Sequence, residues 1–178
     1  DEIRAITGEA RAVGKKSACH AQGSPGVAHA LAGGVDTIEH GFYLTDDLID
    51  TMLEQGTYYV PTLAVVEALV AFGEQTGAPQ GSLDKARAHR EAHIHSFRKA
   101  VAAGVKIGCG TDYLGVPTQD FGTNAMELIC QVRGGRNPMD VIVSATKVNA
   151  ELMDMDDRVG TLEAGKLADM VIVDGDPL

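Results

Sequence analysis

Residues 17–41, SACHAQGSPGVAHALAGGVDTIEHG, decide the fold class of this chain. Two short apolar runs, residues 17–21 and 35–39, have the length and composition of buried strands. Between them, residues 25–32 predict a helix that ends at the Gly-Gly pair 33–34. A strand, a helix and a second strand in succession predict two parallel strands joined by a right-handed crossover.

The same alternation of strand and helix continues towards the C-terminus. Residues 57–63 predict a strand because they are rich in aromatic and β-branched residues, and residues 105–109 predict a fourth. The helices are predicted from helical spacing, from Thr45 as an N-cap and from Asn137-Pro138 as a helix start. They cover residues 1–16, 45–55, 83–103, 125–132 and a stretch from 138 onward, with a loop at 115–123. The chain is therefore predicted to be an α/β domain.

The two ends of the chain differ from this pattern. Residues 159–178, VGTLEAGKLADMVIVDGDPL, predict two strands joined by a turn at Gly165. We therefore divide the chain into a main domain of residues 1–158 and a β segment of residues 159–178. At the other end, the chain opens on Asp1 and enters a helix with no preceding strand for it to cover. We therefore expect further sequence upstream.

Composition and charge exclude several classes of partner. The chain has 178 residues, of which 44% are hydrophobic, enough for one domain with a buried core. Its 25 acidic and 15 basic residues give a net charge of −10, which argues against binding nucleic acid or an anionic membrane surface. No apolar run approaches the roughly 20 residues that span a bilayer. The three cysteines form no disulfide framework, which favours a reducing, cytoplasmic location.

Three potential metal ligands share one property. His20, His40 and Asp112 each lie at or just beyond the C-terminal end of a predicted strand. In a parallel α/β barrel these strand ends form the active-site face, so the three side chains would converge. Two imidazoles and a carboxylate suit zinc or a similar divalent ion. Taken singly, each is more often a hydrogen-bonded strand-end residue, a turn residue or a helix cap.

Other polar residues are weaker candidates. His89, His93 and His95 lie close together on the predicted helix 83–103, but the zincin motif needs Glu where Arg90 stands. We therefore predict that these histidines lie on an exposed helix face, and that Glu39 is structural because it points away from His40. Four residues near strand ends or loops are candidates for substrate contact, although packing explains them equally well: Tyr59, Thr62, Tyr113 and Asn124.

The motifs ACHAQG, TIEHG and GTD resemble those of the metal-dependent amidohydrolase superfamily. The likeness is greatest to its imidazolonepropionase-like and Xaa-Pro or Xaa-Arg/Lys dipeptidase-like branch. The helix NPMDVIVSATKVNAELM and the tail that follows it also resemble segments of that family. The resemblance implies strands five to eight of a partial TIM (β/α) barrel, with residues 159–178 contributing to a composite β-sandwich.

The same resemblance implies a metal centre and its chemistry. His20, His40 and Asp112 would bind one or two divalent ions, zinc being the expected metal, and Asp112 would also act as general acid and base. The H-x-H pair and carboxylated lysine of the family would lie upstream of Asp1. The implied activity is hydrolysis of amide or peptide-like C–N bonds in a small-molecule substrate. Dipeptides or N-acyl amino acids are the first expectation, and cyclic amides such as imidazolones the second.

Two alternatives remain open at this stage. The chain, with only part of the ligand set, is catalytically inactive and acts as a binding or assembly domain. Its exposed strand edges would then favour pairing with a second copy, and we expect a homo-oligomer. Alternatively, it is an α/β binding domain without a metal, in which the histidines are structural.

Overall fold

The computed structural model describes residues 2–116 and 119–178, so Asp1 of the first predicted helix and residues 117–118 of the predicted loop lie outside it. The strands are β1 (Ala18–Ala21), β2 (Thr37–His40) and β3 (Tyr58–Val60). The helices are α1 (Glu2–Ala12), α2 (Ser24–Gly33), α3 (Asp46–Gln55), α4 (Leu63–Phe72), α5 (Gln80–Ala103), α6 (Met126–Arg133), α7 (Pro138–Val143) and α8 (Asn149–Leu152). A 3-10 helix spans Phe121–Thr123, and a π-helix spans Ser144–Val148.

The strands form a parallel sheet in the order β1-β2-β3, which confirms the predicted α/β class. Residues 105–109 lie beside β3 but form only a single parallel bridge, between Ile107 and Tyr59. Tyr59 N–H donates to the carbonyl of Lys106, and Gly108 N–H donates to the carbonyl of Tyr59. The fourth predicted strand is therefore present in position but not as a regular strand. On the other edge of residues 105–109, backbone groups form hydrogen bonds with side chains and not with a further strand.

The core lies between one face of the sheet and the helices. Ile38 pairs with Cys19 on one side and with Tyr59 on the other, and Tyr59 bridges to Ile107. Because residues paired across neighbouring strands lie on the same face of the sheet, these residues form a row along one side of the core. Helices α2, α3 and α5 cover it with Leu31, Met52 and Phe97, all fully buried.

Helix boundaries follow local signals that the sequence carries. Thr45 caps α3 by accepting a hydrogen bond from Leu48 N–H, as predicted. Asn137 caps α7 by accepting one from Met139 N–H, with Pro138 at the first helical position. Helix α5 begins at Gln80, three residues before its predicted start at Leu83. No helix of residues 2–116 or 119–178 is long and apolar enough to cross a membrane.

The C-terminal segment, residues 159–178, does not contain the two strands predicted for it. Its residues are turns and irregular structure, with Leu167 N–H donating to the carbonyl of Arg158. Val171 and Ile172 are 90% and 96% exposed. A strand needs a partner for its backbone groups, and an isolated hairpin is only marginally stable. The alternating sequence therefore has strand character without a sheet, in the described part of the chain, to pair with.

Candidate metal centre

The three predicted metal ligands lie together at the end of the sheet where the parallel strands have their C-termini. His20 lies in β1, His40 ends β2, and Asp112 follows the segment that bridges to β3. The ring centroids of His20 and His40 are 4.2 Å apart, and His40 Nε2 is 3.9 Å from Asp112 Oδ2. Three residues from distant parts of the sequence are thus neighbours in space.

The backbone of His40 makes this contact geometry possible. In the sheet register His20 pairs with Glu39, whereas His40 pairs with Ala21. Since successive strand residues point to opposite faces, a regular strand would separate the rings of His20 and His40. His40 instead has a φ of 76°, in the left-handed region. The strand alternation therefore ends at His40, and its ring meets the ring of His20 edge to face.

Unusual backbone conformations concentrate at this cluster. Among the described residues, four non-glycine residues have positive φ, and His40, Thr62 and Asp112 are three of them. Such a conformation costs on the order of 1–3 kcal/mol and persists only where the surroundings impose it. Strain of this kind gathers at functional sites. The backbone therefore marks two of the three predicted ligands, His40 and Asp112, together with Thr62.

Two of the predicted substrate-contact residues, Tyr59 and Thr62, form hydrogen bonds with His40, and their part in substrate binding stays a prediction. Thr62 Oγ1 lies 2.7 Å from His40 Nδ1, and the Tyr59 hydroxyl donates to the carbonyls of His40 and Gly41 at 2.8 and 3.2 Å. Both side chains are buried, and burial raises the pKa of Tyr59 further above its ordinary value. Tyr59 therefore supports the strained backbone, and Thr62 orients the ring.

The electrostatic surroundings keep the His40 imidazole neutral. Burial lowers the pKa of His40 to about 4, His20 contributes further lowering, and Asp112 opposes it. A neutral ring carries one N–H. When that proton is on Nδ1 and is donated to Thr62, Nε2 presents its lone pair on the side of Asp112. This is the form of histidine that binds metal ions.

The other two candidates for substrate contact lie outside the bonded cluster. Tyr113 is half-buried against the core, and Asn124 is exposed at the end of the 3-10 helix. No hydrogen bond or ion pair within the described ranges joins either side chain to His20, His40 or Asp112. Their part in substrate binding stays a prediction.

Glu39 is closer to the site than strand alternation around His40 suggested. It pairs with His20 in the register, so the two side chains share a face of the sheet. Thr37 Oγ1 donates to Glu39 Oε1 at 2.6 Å. Burial raises the pKa of Glu39, the bond from Thr37 opposes this, and Asp112 adds to the raising. The register between β1 and β2, which the sequence alone does not define, was the missing information.

The histidines of α5 do not form an exposed face as predicted. His93 is only 1% exposed, its Nε2–H donates to the carbonyl of Pro61 at 2.7 Å, and its ring lies 4.2 Å from that of Phe42. His89 is half-buried and bonded to the Tyr43 hydroxyl, whereas His95 is exposed. The prediction is wrong for His93 because α5 packs this face against the loops that follow β2 and β3.

The donor set at the strand ends has the chemistry of a divalent metal site. Catalytic zinc sites use three protein ligands drawn from histidine, carboxylate and thiolate, and leave one position open. Within the described residues, no group of three such side chains converges closely enough to define a metal position. Burial raises the pKa of the neighbouring Cys109 to about 12, which disfavours its thiolate in the metal-free protein. His20, His40 and Asp112 fit a divalent metal by donor type, and His40 lies beside each of the other two.

Comparison with known proteins identifies the family of this chain. The sequence profile of the Amidohydrolase family matches residues 1–178, and the chain belongs to this family. The resemblance drawn from the three motifs is thereby confirmed.

Individual relatives cover the whole chain. It is 32% identical over 181 residues to an ochratoxinase of Aspergillus niger, matching 100% of this chain and 36% of that protein. It is similar to the crystal structure of a Xaa-Pro dipeptidase with bound methionine, with 38% identity and a TM-score of 0.87 over 99% of this chain and 43% of the other. It is also similar to a prolidase complexed with N-methylphosphonate-L-proline, with 34% identity and a TM-score of 0.90 over 99% and 42%. The chain therefore spans about two fifths or less of these relatives.

Proposed function

We propose that this chain supplies one side of the metal centre of a hydrolase that cleaves amide or peptide-like C–N bonds. The observation that supports it most is that His40 lies beside both His20 and Asp112, although the three residues come from separate parallel segments. The strained backbone at His40 and Asp112 adds to it, because it holds an arrangement that ordinary strand geometry would not produce. Membership of the Amidohydrolase family supports the same class of reaction.

Each residue has a distinct part in the proposed chemistry. His20 and His40 would bind one of one or two divalent ions, with zinc the metal best suited to these donors. A divalent ion there supplies positive charge that lowers the pKa of water and polarises a carbonyl. Asp112, with a side chain 51% exposed, can hold the attacking water, accept its proton and pass that proton to the leaving nitrogen. Thr62 Oγ1 would accept the Nδ1 proton in the His40 tautomer that leaves Nε2 free for the ion.

We further propose that residues 1–158 are strands five to eight of a (β/α) barrel with their helices. Parallel order, the bridge from Tyr59 to Ile107 and functional residues at the C-terminal strand ends all support this. Residues 159–178 would complete a small β-sandwich together with strands from elsewhere in the protein. The exposed apolar residues Val171 and Ile172 support that part of the proposal.

Dipeptides or N-acyl amino acids are the proposed substrates. The Xaa-Pro dipeptidase and the prolidase among the similar proteins favour an amino acid on the leaving side of the bond. Cyclic amides remain the second candidate through the ring-opening branch that the motifs resemble. Both reactions would use a water-derived proton held at Asp112.

A substrate panel tests this proposal. The full-length protein is assayed against a Xaa-Pro dipeptide, an N-acetyl amino acid and a five-membered cyclic amide, before and after treatment with a chelator. We expect hydrolysis of the first two, loss of activity with chelator and its return with zinc. Activity that survives complete metal removal would contradict a metal-dependent hydrolase. Ring opening without dipeptide cleavage would shift the assignment to the second substrate class.

We also propose that the protein forms a homo-oligomer, because β1 is paired on one side only in the described sheet and exposed strand edges favour pairing with another chain. Light scattering on the full-length protein measures this directly. A particle mass of two or more chains is the expected result, and a monomer over the whole concentration range would contradict it.

A further inference from the structure

The segment that leads to Asp112 is held from both edges by side chains. On the edge facing β3, Gln131 Nε2 donates to the carbonyl of Gly108 at 3.0 Å and to Glu127 Oε1 at 3.1 Å. On the opposite edge, Ser144 Oγ donates to the carbonyl of Ile107 at 2.7 Å. Only a few residues separate these anchors from Asp112, so they limit how the chain can approach the site.

Asn149 makes the most complete of these contacts. Its Oδ1 accepts from Cys109 N–H at 2.9 Å, and its Nδ2 donates to the carbonyl of Cys109 at 2.7 Å. A side-chain amide thus satisfies both backbone groups of one residue, as a neighbouring strand would. A Cβ on Gly108 would lie 3.2 Å from Asn149 Oδ1 and 2.9 Å from Val60. Glycine at position 108 therefore permits the close approach.

The π-helix between α7 and α8 explains how one helical stretch reaches this edge twice. Ser144 and Asn149 are five positions apart, and in a regular α-helix such residues lie roughly 140° apart around the axis. The i to i+5 hydrogen bonding of the π-helix Ser144–Val148 widens the turn and brings them to the same side. Both can then contact residues 107–109. Such π-turns occur frequently at functional sites.

We propose that Asn149 is a positioning residue that sets the placement of Asp112 by pairing with both backbone groups of Cys109. The inference rests on the proposed role of Asp112 in the metal centre. Asp112 follows Cys109 by three residues and has a left-handed backbone, with its carboxylate half exposed beside His40. A shift of the chain at Cys109 would therefore move the carboxylate relative to His40 Nε2.

Two variants at this position separate positioning from folding. Asn149→Ala removes both bonds to Cys109, whereas Asn149→Asp keeps the volume and the acceptor but has no N–H for the carbonyl. The matched control is Asn137→Ala, which removes one side-chain bond to backbone, the α7 cap, away from residues 107–109. All are made in the full-length protein and compared for melting temperature, zinc affinity by competition with a chromophoric chelator, kcat and KM.

We expect both Asn149 variants to weaken zinc binding and lower kcat by about tenfold, as loss of a supporting partner commonly does, with KM within about twofold. Asn137→Ala should lower the melting temperature without either effect. In metal-free protein, amide hydrogens of residues 107–113 should exchange faster in the Asn149 variants than in the control. If Asn149→Ala does not fold, Asn149→Asp provides the same readouts.

The outcomes distinguish this inference from the proposal beneath it. Zinc affinity, kcat and exchange that match the Asn137 control would overturn the positioning role of Asn149 and leave the metal centre standing. A wild-type protein that binds no divalent ion would overturn both.

Discussion

Two groups of histidine-containing residues differ in how their distance in sequence relates to their distance in space. His20, His40 and Asp112 are far apart in sequence, yet they meet at the ends of parallel segments. His89, His93 and His95 are close together on α5, yet they take three different environments: bonded to Tyr43, buried against Pro61 and exposed. The ends of parallel strands therefore bring together residues that are distant in sequence, whereas residues close together on a helix point in different directions around its axis.

The two groups also differ in backbone conformation. His40 and Asp112 have left-handed φ values, whereas the three α5 histidines lie in a regular helix. Residues in left-handed conformations retain that geometry only when packing and hydrogen bonds impose it. Here the hydroxyl of Tyr59, in β3, donates to the His40 carbonyl, and Thr62, just after β3, pairs with the His40 ring. Strain with dedicated support is one reason why we propose a function for the strand-end group and none for the helical group.

The largest effect is expected at Asp112. Asp112→Asn removes the proton acceptor, so kcat should fall by roughly 10²- to 10⁴-fold. The fold should persist, because the side chain is half exposed and asparagine tolerates positive φ. Steady-state kinetics and thermal melting of the full-length variant check both statements. Normal turnover in Asp112→Asn would refute the acid/base role, and His95→Asn on α5 is the control that should keep wild-type activity.

A smaller effect is expected at Thr62. Thr62→Val is nearly isosteric and keeps the β-branch, but it removes the hydroxyl that pairs with His40 Nδ1. Zinc affinity should fall by about tenfold, within the range typical of losing a partner of a metal-bound histidine. Thr45→Val, which removes the α3 cap, is the control and should change stability alone. Equal zinc affinity in the two variants would mean that Thr62 does not orient His40.

A third effect, on stability and not on activity, is a pH dependence at His93. Burial lowers the pKa of His93 to about 4, and the bond to Pro61 opposes this only in part. The folded state therefore disfavours the proton, and this contribution to stability is complete above about pH 6.5 and lost as the pH falls towards 4. At about 1.4 kcal/mol for each pKa unit, it amounts to about 3 kcal/mol.

Urea unfolding at pH 7.5 and pH 5 measures this contribution. His93→Gln cannot ionise but can still donate to the carbonyl of Pro61, so the loss of stability at pH 5 should be smaller than in the wild type. His95→Gln should lose as much as the wild type. An identical loss in all three proteins would mean that His93 is not the buried titrating group.

Much of the fold could be predicted because its signals are local. The helix caps at Thr45 and Asn137, and the end of α2 at Gly33-Gly34, appear where the sequence indicates them. Strand-end position also identified His20, His40 and Asp112. The prediction of two strands in residues 159–178 failed because strand formation depends on a partner. Residues such as Val171 and Ile172 carry no information about whether a partner is present.

The roles of the residues that support the site could not be predicted, and the reason is different. Tyr59, Thr62 and Asn149 act through contacts across the chain, which depend on register and on one widened helical turn. The burial of His93 likewise depends on which face α5 packs inward, and polar residues surround it in the sequence. The positive φ of His40 was not readable from residue type. A sequence thus locates ligand candidates better than the residues that hold them.

X-ray absorption at the zinc edge tests the central claim most directly, that the strand-end group and not another set of side chains binds the metal. The full-length protein loaded with zinc is compared with its His40→Ala variant and with His95→Ala. We predict nitrogen and oxygen neighbours at about 2.0–2.2 Å with no sulfur at about 2.3 Å, loss of bound zinc in His40→Ala, and no change in His95→Ala. A sulfur shell, or a spectrum and zinc content unaltered by His40→Ala, would contradict the account.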